Sequence, residues 1–325
     1  MAMMTVTEEG KQAGAMALPQ SARLPALFAP EARAAERFME FFTVHIENPH
    51  TRRAYYRTAG GFSEWCVGRG IHRLPDVRPM HIAAYIKGLT ISVPSKKQHL
   101  AALRMLFDWL VLGHVIEVNP AHAVRGPKHA VKKGKTPVLE RDEARALLDS
   151  IDTSTLIGLR DRALIATMIF TFARINAVLQ MNVADYYSQG RRGWIRLHEK
   201  GGKEHESPCV SRLEAYLDEY IAAAGIGGDI TGPLWRTSGR KTGAATRLLQ
   251  SDAHAMIRRR ARAAGIETLI GNHSMRATGI TAYLKGEGTL EKAQEMANHS
   301  SPRTTKLYDR RGDKITLDEY EKIRI

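Results

Sequence analysis

The sequence predicts a mainly α-helical protein of two domains, with a small β-hairpin in the second. Three observations carry that reading. Apolar residues recur at three- and four-residue spacing through most of the chain. Strand-like alternation is confined to Trp194-Ile195-Arg196-Leu197-His198 and a return run just after it. A basic, Pro/Gly-rich stretch over 119–137 divides the 325 residues, which are about twice the ~150 of an ordinary domain.

Residues 1–29 mix Gly, Ala, Met and Pro without periodicity and read as a flexible tail. From Pro30-Glu31 onward, Phe38, Phe41, Phe42 and His45 keep helical spacing. Asn48-Pro49-His50-Thr51 is a cap and turn leading into a helix over Arg52–Cys66, with Tyr55, Phe62 and Trp65 in helical register. Asp76–Leu89 reads as a third helix. Ser95 is expected to cap a fourth, with Leu100, Leu103, Phe107 and Leu110 on one face and Gly113 ending it. Residues 30–118 thus read as a helical domain. In the linker 119–137, prolines and glycines break regular structure, acids are absent, and Arg125, Lys128, Lys132, Lys133 and Lys135 supply positive charge. A solvated tether or a strap lying along phosphates fits that composition, and two flanking basic domains favour the strap.

The second domain, 138–325, opens on Leu139-Glu140-Arg141-Asp142-Glu143, with acids in the first helical turn where the macrodipole favours them. Asp161–Met181 reads as one long apolar helical stretch and the core of the domain. Lys200-Gly201-Gly202-Lys203 is the turn of the hairpin, returning through Glu204–Val210. Helices are expected at Ser211–Ala224, Gln250–Ala264, His273–Leu284, Glu291–Ala297, Pro302–Asp309 and Leu317–Ile323.

Composition narrows the function. Lys and Arg total 48 against 34 Asp and Glu, a net charge of +14, which points to a polyanionic partner. Cys66 and Cys209 are too far apart in sequence for a disulfide framework, so a reducing, intracellular setting is expected. The longest apolar run, Ala163–Ala173, is too short to span a bilayer. Glu8, Glu9 and Lys11 stand where a secretory signal would be apolar. No membrane partner is therefore expected. Phosphate-binding glycine loops, a nucleophile elbow, zinc-ligand spacing and a carboxylate cluster for two metals are all missing from the sequence. A reaction on nucleic acid would have to use the chain's own cations, with no metal or cofactor.

Such cations occur in a suggestive order. Arg174 ends an apolar run, where an unpaired charge is costly. Lys200 and Lys203 sit on the hairpin turn. His273 and Arg276 lie one turn apart at a helix start and face the same way. His299 precedes Ser301-Pro302, a cap and first helical position, and Tyr308 follows. Singly, each has an ordinary explanation: a snorkelling arginine, a solvated turn, a structural histidine, a packing tyrosine.

Taken in order, they resemble the tyrosine recombinase (phage integrase) family, of Xer/integrase type. The likeness rests on Phe172-Ala173-Arg174-Ile175, Glu199-Lys200-Gly201-Gly202-Lys203-Glu204, His273-Ser274-Met275-Arg276, Ala297-Asn298-His299-Ser300-Ser301 and Tyr308. The Asn48-Pro49-His50-Thr51…Tyr55…Phe62…Trp65 run and Asn119-Pro120-Ala121 are similar to the family's core-binding domain. Three positions depart from the family pattern: Phe172 and Asn298 stand where glycine is usual, and Ala177 where an acid usually buttresses the first arginine. Asn176 or a distant carboxylate is left as the candidate to hold Arg174.

The resemblance implies a two-domain clamp on duplex DNA, a helical core-binding domain plus a mixed α+β catalytic domain, cleaving through a 3′-phosphotyrosine link. Tyr308 would be the nucleophile, Arg174, Arg276, His273 and His299 would attend the phosphate, and Lys200 would protonate the leaving oxygen. DNA with inverted-repeat sites would be contacted through Lys96, Lys97, Arg125, Lys128, Lys132, Lys133, Lys135, Lys203, Arg258 and Arg259. Thr316-Leu317-Asp318-Glu319 is a capping box opening a short helix over 316–325. In the family such a helix docks on a neighbour, implying a tetramer on DNA. A cytoplasmic, nucleoid-associated protein of a prokaryote is expected, its accessory proteins unspecified. A type IB topoisomerase and a non-catalytic DNA-binding accessory protein of the same fold remain alternatives at this stage.

Overall fold

The computed structural model describes residues 24–129, 134–199, 203–238, 245–310 and 323. Lys132, Lys133, Lys200, most of the N-terminal tail and all but one residue of the expected 316–325 helix lie outside the described residues. The chain divides into two compact units, Met1–Ala130 and Val131–Ile325. Among the described residues, no helix is long and apolar enough to cross a membrane.

The first unit is helical. Helix α1 (Ala32–Glu40) runs into a π-helical turn, Phe41–His45, and is followed by α2 (Pro49–Val67), α3 (Pro79–Gly88) and α4 (Val93–Leu112). The aromatic residues that set the sequence period make its core: Phe38, Phe41, Phe42, Phe62 and Phe107 are fully buried around Leu103 and Leu106. The Asn48 side chain caps α2, accepting from the His50 and Thr51 N–H groups at 3.0 and 3.1 Å. Helix α4 starts earlier than the sequence suggested. Its cap is Ser92, not Ser95, and the Ser95 N–H donates to the Ser92 hydroxyl. Pro94 explains the shift, because a proline lacks the N–H that a first-turn residue leaves unpaired anyway. Residues 119–124, assigned to the linker from sequence, pack on this unit. Ala121 and Val124 join its core, and Asn119 Nδ2 donates to the Arg104 carbonyl at 2.9 Å and to Asp108 at 2.8 Å.

The second unit packs helices around a three-stranded antiparallel sheet of order β1-β2-β3. Helix α5 (Arg141–Asp149) leads to α6 (Leu156–Phe170) and the short α7 (Ile175–Gln180). The sheet follows, with β1 (Tyr186–Gln189), β2 (Arg192–Glu199) and β3 (Lys203–Pro208). Ile195 and Leu197 of the central strand are fully buried, as the alternation required. Glu199 pairs with Lys203 at the end of the β2–β3 ladder, and the expected turn residues 200–202 lie outside the described residues. Next come α8 (Ser211–Ala224), α9 (Gln250–Ala263), α10 (Asn272–Lys285), α11 (Leu290–Met296) and α12 (Pro302–Lys306).

The long Asp161–Met181 helix expected from sequence is two helices. Phe172 takes a left-handed conformation, φ 54°, which no α-helix can propagate through. Its ring is buried against Ile280, Leu284, Ala293 and Ala297, which offsets the backbone cost. The break sets Arg174 at the start of α7 rather than at the end of a long helix. Helices α6 and α10 also meet very closely. A Cβ on Gly279 would lie 2.0 Å from the Ile169 carbonyl oxygen, so only glycine fits there.

The acid that opened the expected helix, Asp161, is fully buried in α6. Its carboxylate accepts from Arg160 at 2.6 Å and from Arg260 at 2.8 Å, with Arg259 at 3.6 Å. This network joins α6 to α9 and answers the desolvation of the carboxylate with several charged donors.

Candidate active site

Arg174, Arg276, His299 and Tyr308 are brought together by three parts of the chain. The Phe172 break delivers Arg174. The first turns of α10 deliver Arg276, and the connections flanking α12 deliver His299 and Tyr308. Asn298 takes positive φ, 46°, turning the chain out of α11 just before His299. Phe172 and Asn298 thus occupy glycine-type backbone at the two positions where the family pattern led one to expect glycine.

Arg276 is 3% exposed. Its guanidinium donates to the carbonyls of Phe172 and Ala297, one at each break, which fixes both the side chain and the two loops. Burial, and then the neighbouring Arg174, lower its pKa to about 10, while the nearby Tyr308 phenol and Glu199 act in the opposite direction. At neutral pH it is a cation with a restricted orientation.

His299 is 7% exposed, and its Nδ1 lies 2.9 Å from the Thr305 hydroxyl. Burial, reinforced by Arg276 and Arg174, lowers its pKa to about 4. The ring is therefore neutral at physiological pH and able to donate from one nitrogen. The Tyr308 ring lies parallel to it, centroids 5.8 Å apart. Tyr308 is fastened through its backbone: its N–H donates to the Thr305 carbonyl at 2.9 Å, and its carbonyl accepts from the Thr281 hydroxyl at 3.0 Å.

Arg174 is held by a distant carboxylate, the second of the two candidates. Its Nη1 donates to Glu199 Oε2, at the end of β2, in a charge-assisted contact. Glu199 is 6% exposed and Arg174 42%, so the acid is enclosed while the guanidinium keeps an open face. Ala177, where an acid was expected, is buried in the core.

His273 is exposed at the start of α10 and borders a cavity of about 590 Å³ shared with Lys135, His254 and Arg258. Two residues past Tyr308, Arg310 donates to the carbonyls of Gly134 and Thr136, at 2.6 and 3.2 Å. The basic stretch carrying Lys135 is thereby tied to the segment that carries Tyr308.

Residues 137–314, more than half of the chain, match the Phage integrase family. The chain belongs to that family, the tyrosine recombinases. It is similar to tyrosine recombinase XerC of Pelobacter propionicus, 28% identical across 86% of this chain and 93% of the relative. XerC of Myxococcus xanthus is 27% identical over 83% of this chain and 91% of its own length. The fold is shared with XerH recombinase bound to palindromic difH substrate in a post-cleavage complex, at TM-score 0.69 and 20% identity, covering 92% of this chain and 91% of that one. A lambda integrase tetramer bound to a Holliday junction gives 0.64 at 19% identity, over 87% of this chain and 79% of that one.

In this tyrosine recombinase the expected DNA-contacting cations fall into distinct groups. Lys97, Arg125, Lys128 and Lys135 are exposed. Lys96 donates to the Lys87 carbonyl at 3.1 Å, the last turn of α3. Arg258 faces the His273 cavity, whereas Arg259 approaches Asp161 and remains 60% exposed. The backbone of Lys203 is in β3. Sequence reasoning missed Glu199, Thr281 and Thr305. Glu199 sat beside Lys200 and was a reachable guess. Nothing in the sequence marks the two threonines, whose partners are set by how α10 and α12 pack.

Proposed function

We propose that this protein is a site-specific recombinase that cleaves and rejoins duplex DNA through a covalent 3′-phosphotyrosine link at Tyr308. The convergence of Arg174, Arg276, neutral His299 and Tyr308 carries the reading. As the Tyr308 oxygen adds to phosphorus it releases its phenolic proton to solvent, and negative charge grows on the non-bridging oxygens. Arg174 and Arg276 present oriented N–H donors to that charge, and His299 and His273 add further hydrogen bonds. The bond from phosphorus to the 5′-oxygen breaks, and Lys200 supplies the proton that makes a 5′-hydroxyl. The phosphotyrosine keeps the energy of the broken ester, so a 5′-hydroxyl can reverse the step without ATP or metal.

The substrate would be inverted-repeat DNA, held in a tetrameric synapse in a prokaryotic cytoplasm, on the nucleoid. The exposed cations Lys97, Arg125, Lys128, Lys135 and Arg258 support phosphate contact, with Lys96, Lys132, Lys133, Lys203 and Arg259 as further candidates. The 316–325 helix would dock on the neighbouring copy. Deleting it is expected to spare binding to a single site but to impair strand exchange, and unchanged recombination would count against it.

The test uses nicked genomic fragments, incubated without metal with wild-type protein and with Tyr308→Phe. The expected result is an SDS-resistant adduct from wild type alone, focused on one inverted-repeat sequence. Adducts scattered over all sequences would make the protein a type IB topoisomerase. No adduct from protein that still binds the DNA would make it a non-catalytic binding factor.

A further inference from the structure

We infer that Glu199 is the positioning residue for Arg174, a carboxylate supplied by the hairpin in place of one on Arg174's own helix. The inference rests on the recombinase reading above and identifies what organises its first cation.

Arg174 is in an electrostatically awkward place. It adds positive charge beside buried Arg276, and the two arginines reinforce the burial that already lowers the pKa of His299. Two guanidiniums in a partly desolvated site repel each other until an anion arrives. The more exposed one, Arg174, is free to relieve that repulsion by swinging into solvent. A guanidinium that has swung out must be drawn back in each catalytic cycle, which wastes binding energy on orientation.

Helix α7 offers no acid to prevent this. Over Ile175–Gln180 it carries Asn176, Ala177 and Gln180 but no carboxylate. Glu199 comes from another element, 25 residues away, and its enclosed carboxylate engages Nη1 of Arg174. Glu199 has no freedom to follow a wandering arginine, because it is the last residue of β2 and is paired across the ladder with Lys203. Its own burial is tolerable only while Arg174 is present. The carboxylate therefore fixes one edge of the guanidinium, leaves the exposed remainder for a phosphate, and offsets one of the two positive charges.

Placement on the hairpin has a second effect. Lys200 follows Glu199 directly in sequence, so the ion pair that orients the first arginine also fixes the residue next to the proposed proton donor. A carboxylate on α7 would have left the two independent.

Single-turnover adduct formation on the nicked substrate tests this, with DNA binding and melting temperature measured on each variant. Glu199→Gln is expected to slow adduct formation about 100-fold, the scale of misplacing a reacting group by an ångström. Its affinity for DNA should be unchanged or higher, because a negative charge has been removed. Glu199→Asp should recover part of the rate. In an Arg174→Lys background, Glu199→Gln should add little further loss, because its effect passes through Arg174. Wild-type rate in Glu199→Gln would overturn the inference, and so would an undiminished penalty in the Arg174→Lys background. A wild-type protein that forms no adduct would instead sink the recombinase reading itself, which keeps the two failures separate.

Discussion

The imidazole of His299 lies parallel to the phenol of Tyr308, with planes 9° apart and centroids separated by 5.8 Å. The imidazole is also anchored at Nδ1 by Thr305, one turn before Tyr308 on the same short segment. Imidazole, anchor and phenol thus all lie on residues 299–308, the five residues of α12 and the connections on either side of it.

Neutral His299 makes a pH dependence with a definite sign. Its pKa is about 4 in the fold against 6.5 ordinarily, so the unfolded chain takes up a proton that the folded one refuses. The stability it contributes is full above about pH 6.5 and is lost as pH falls through about 4. Melting temperature measured from pH 7 to 4 should fall less steeply for His299→Gln than for wild type.

Thr305→Val keeps the size of the side chain and removes the hydroxyl. With that hydroxyl donating to Nδ1, Nε2 is the protonated nitrogen and can donate to a phosphate oxygen. Loss of the anchor should slow adduct formation at least 10-fold, on the scale of removing one oriented donor. Wild-type rates would show that the ring orients without it.

Phe172→Gly should relieve a left-handed backbone, yet it should destabilise. Truncating a buried phenylalanine costs about 3–5 kcal/mol, while relief of the left-handed strain returns roughly 1–2 kcal/mol. A net loss of about 2–3 kcal/mol is expected in denaturant unfolding. Asn298→Gly should be nearly neutral by the same measurement, since asparagine tolerates this conformation and gives up no large buried ring.

Asp161→Asn should cost about 3–5 kcal/mol by leaving buried guanidinium groups without their counter-charge. Arg258→Ala, two residues before Arg260 on α9 but on the cavity side, should leave stability intact. It should instead weaken DNA binding and lower its salt dependence by about one unit of slope. A melting curve and a salt titration of each variant separate the two roles.

Gly279→Ala should be severe. The added methyl would strike the Ile169 carbonyl at 2.0 Å and the Phe172 ring at 2.8 Å, so α10 would have to lift from α6. A loss of about 1–3 kcal/mol is the usual scale of overpacking, and Arg276, carried on α10, would move with the helix. Unchanged stability and activity would mean that the two helices have slack.

What the sequence exposed, and what it hid, follow from the range of the forces involved. Helix positions in both units were visible because a buried face imposes a period on neighbouring residues, as Phe38, Phe42 and Phe62 do. The residue types gathered around Tyr308 were visible because their chemistry and order are unusual together. The α6–α7 break was hidden, since phenylalanine gives no local sign that it will adopt left-handed backbone. Strand β1 was hidden as well: four residues, Tyr186–Gln189, are too short to show alternation. Glu199 was one of 34 acidic residues, and its selection depends on hairpin register rather than on any spacing from Arg174.

The bond from Thr281 to the Tyr308 carbonyl has a consequence for how several copies divide the labour. It fastens the Tyr308 backbone to the helix that carries Arg276, so under the proposed recombinase reading each copy is expected to cut with its own tyrosine. Under that reading a copy deprived of Tyr308 would not borrow the phenol of its neighbour, and mixing Tyr308→Phe with Arg174→Ala protein is expected to yield no adduct. Cooperation among copies would then govern when each strand is cut, never whose tyrosine cuts it.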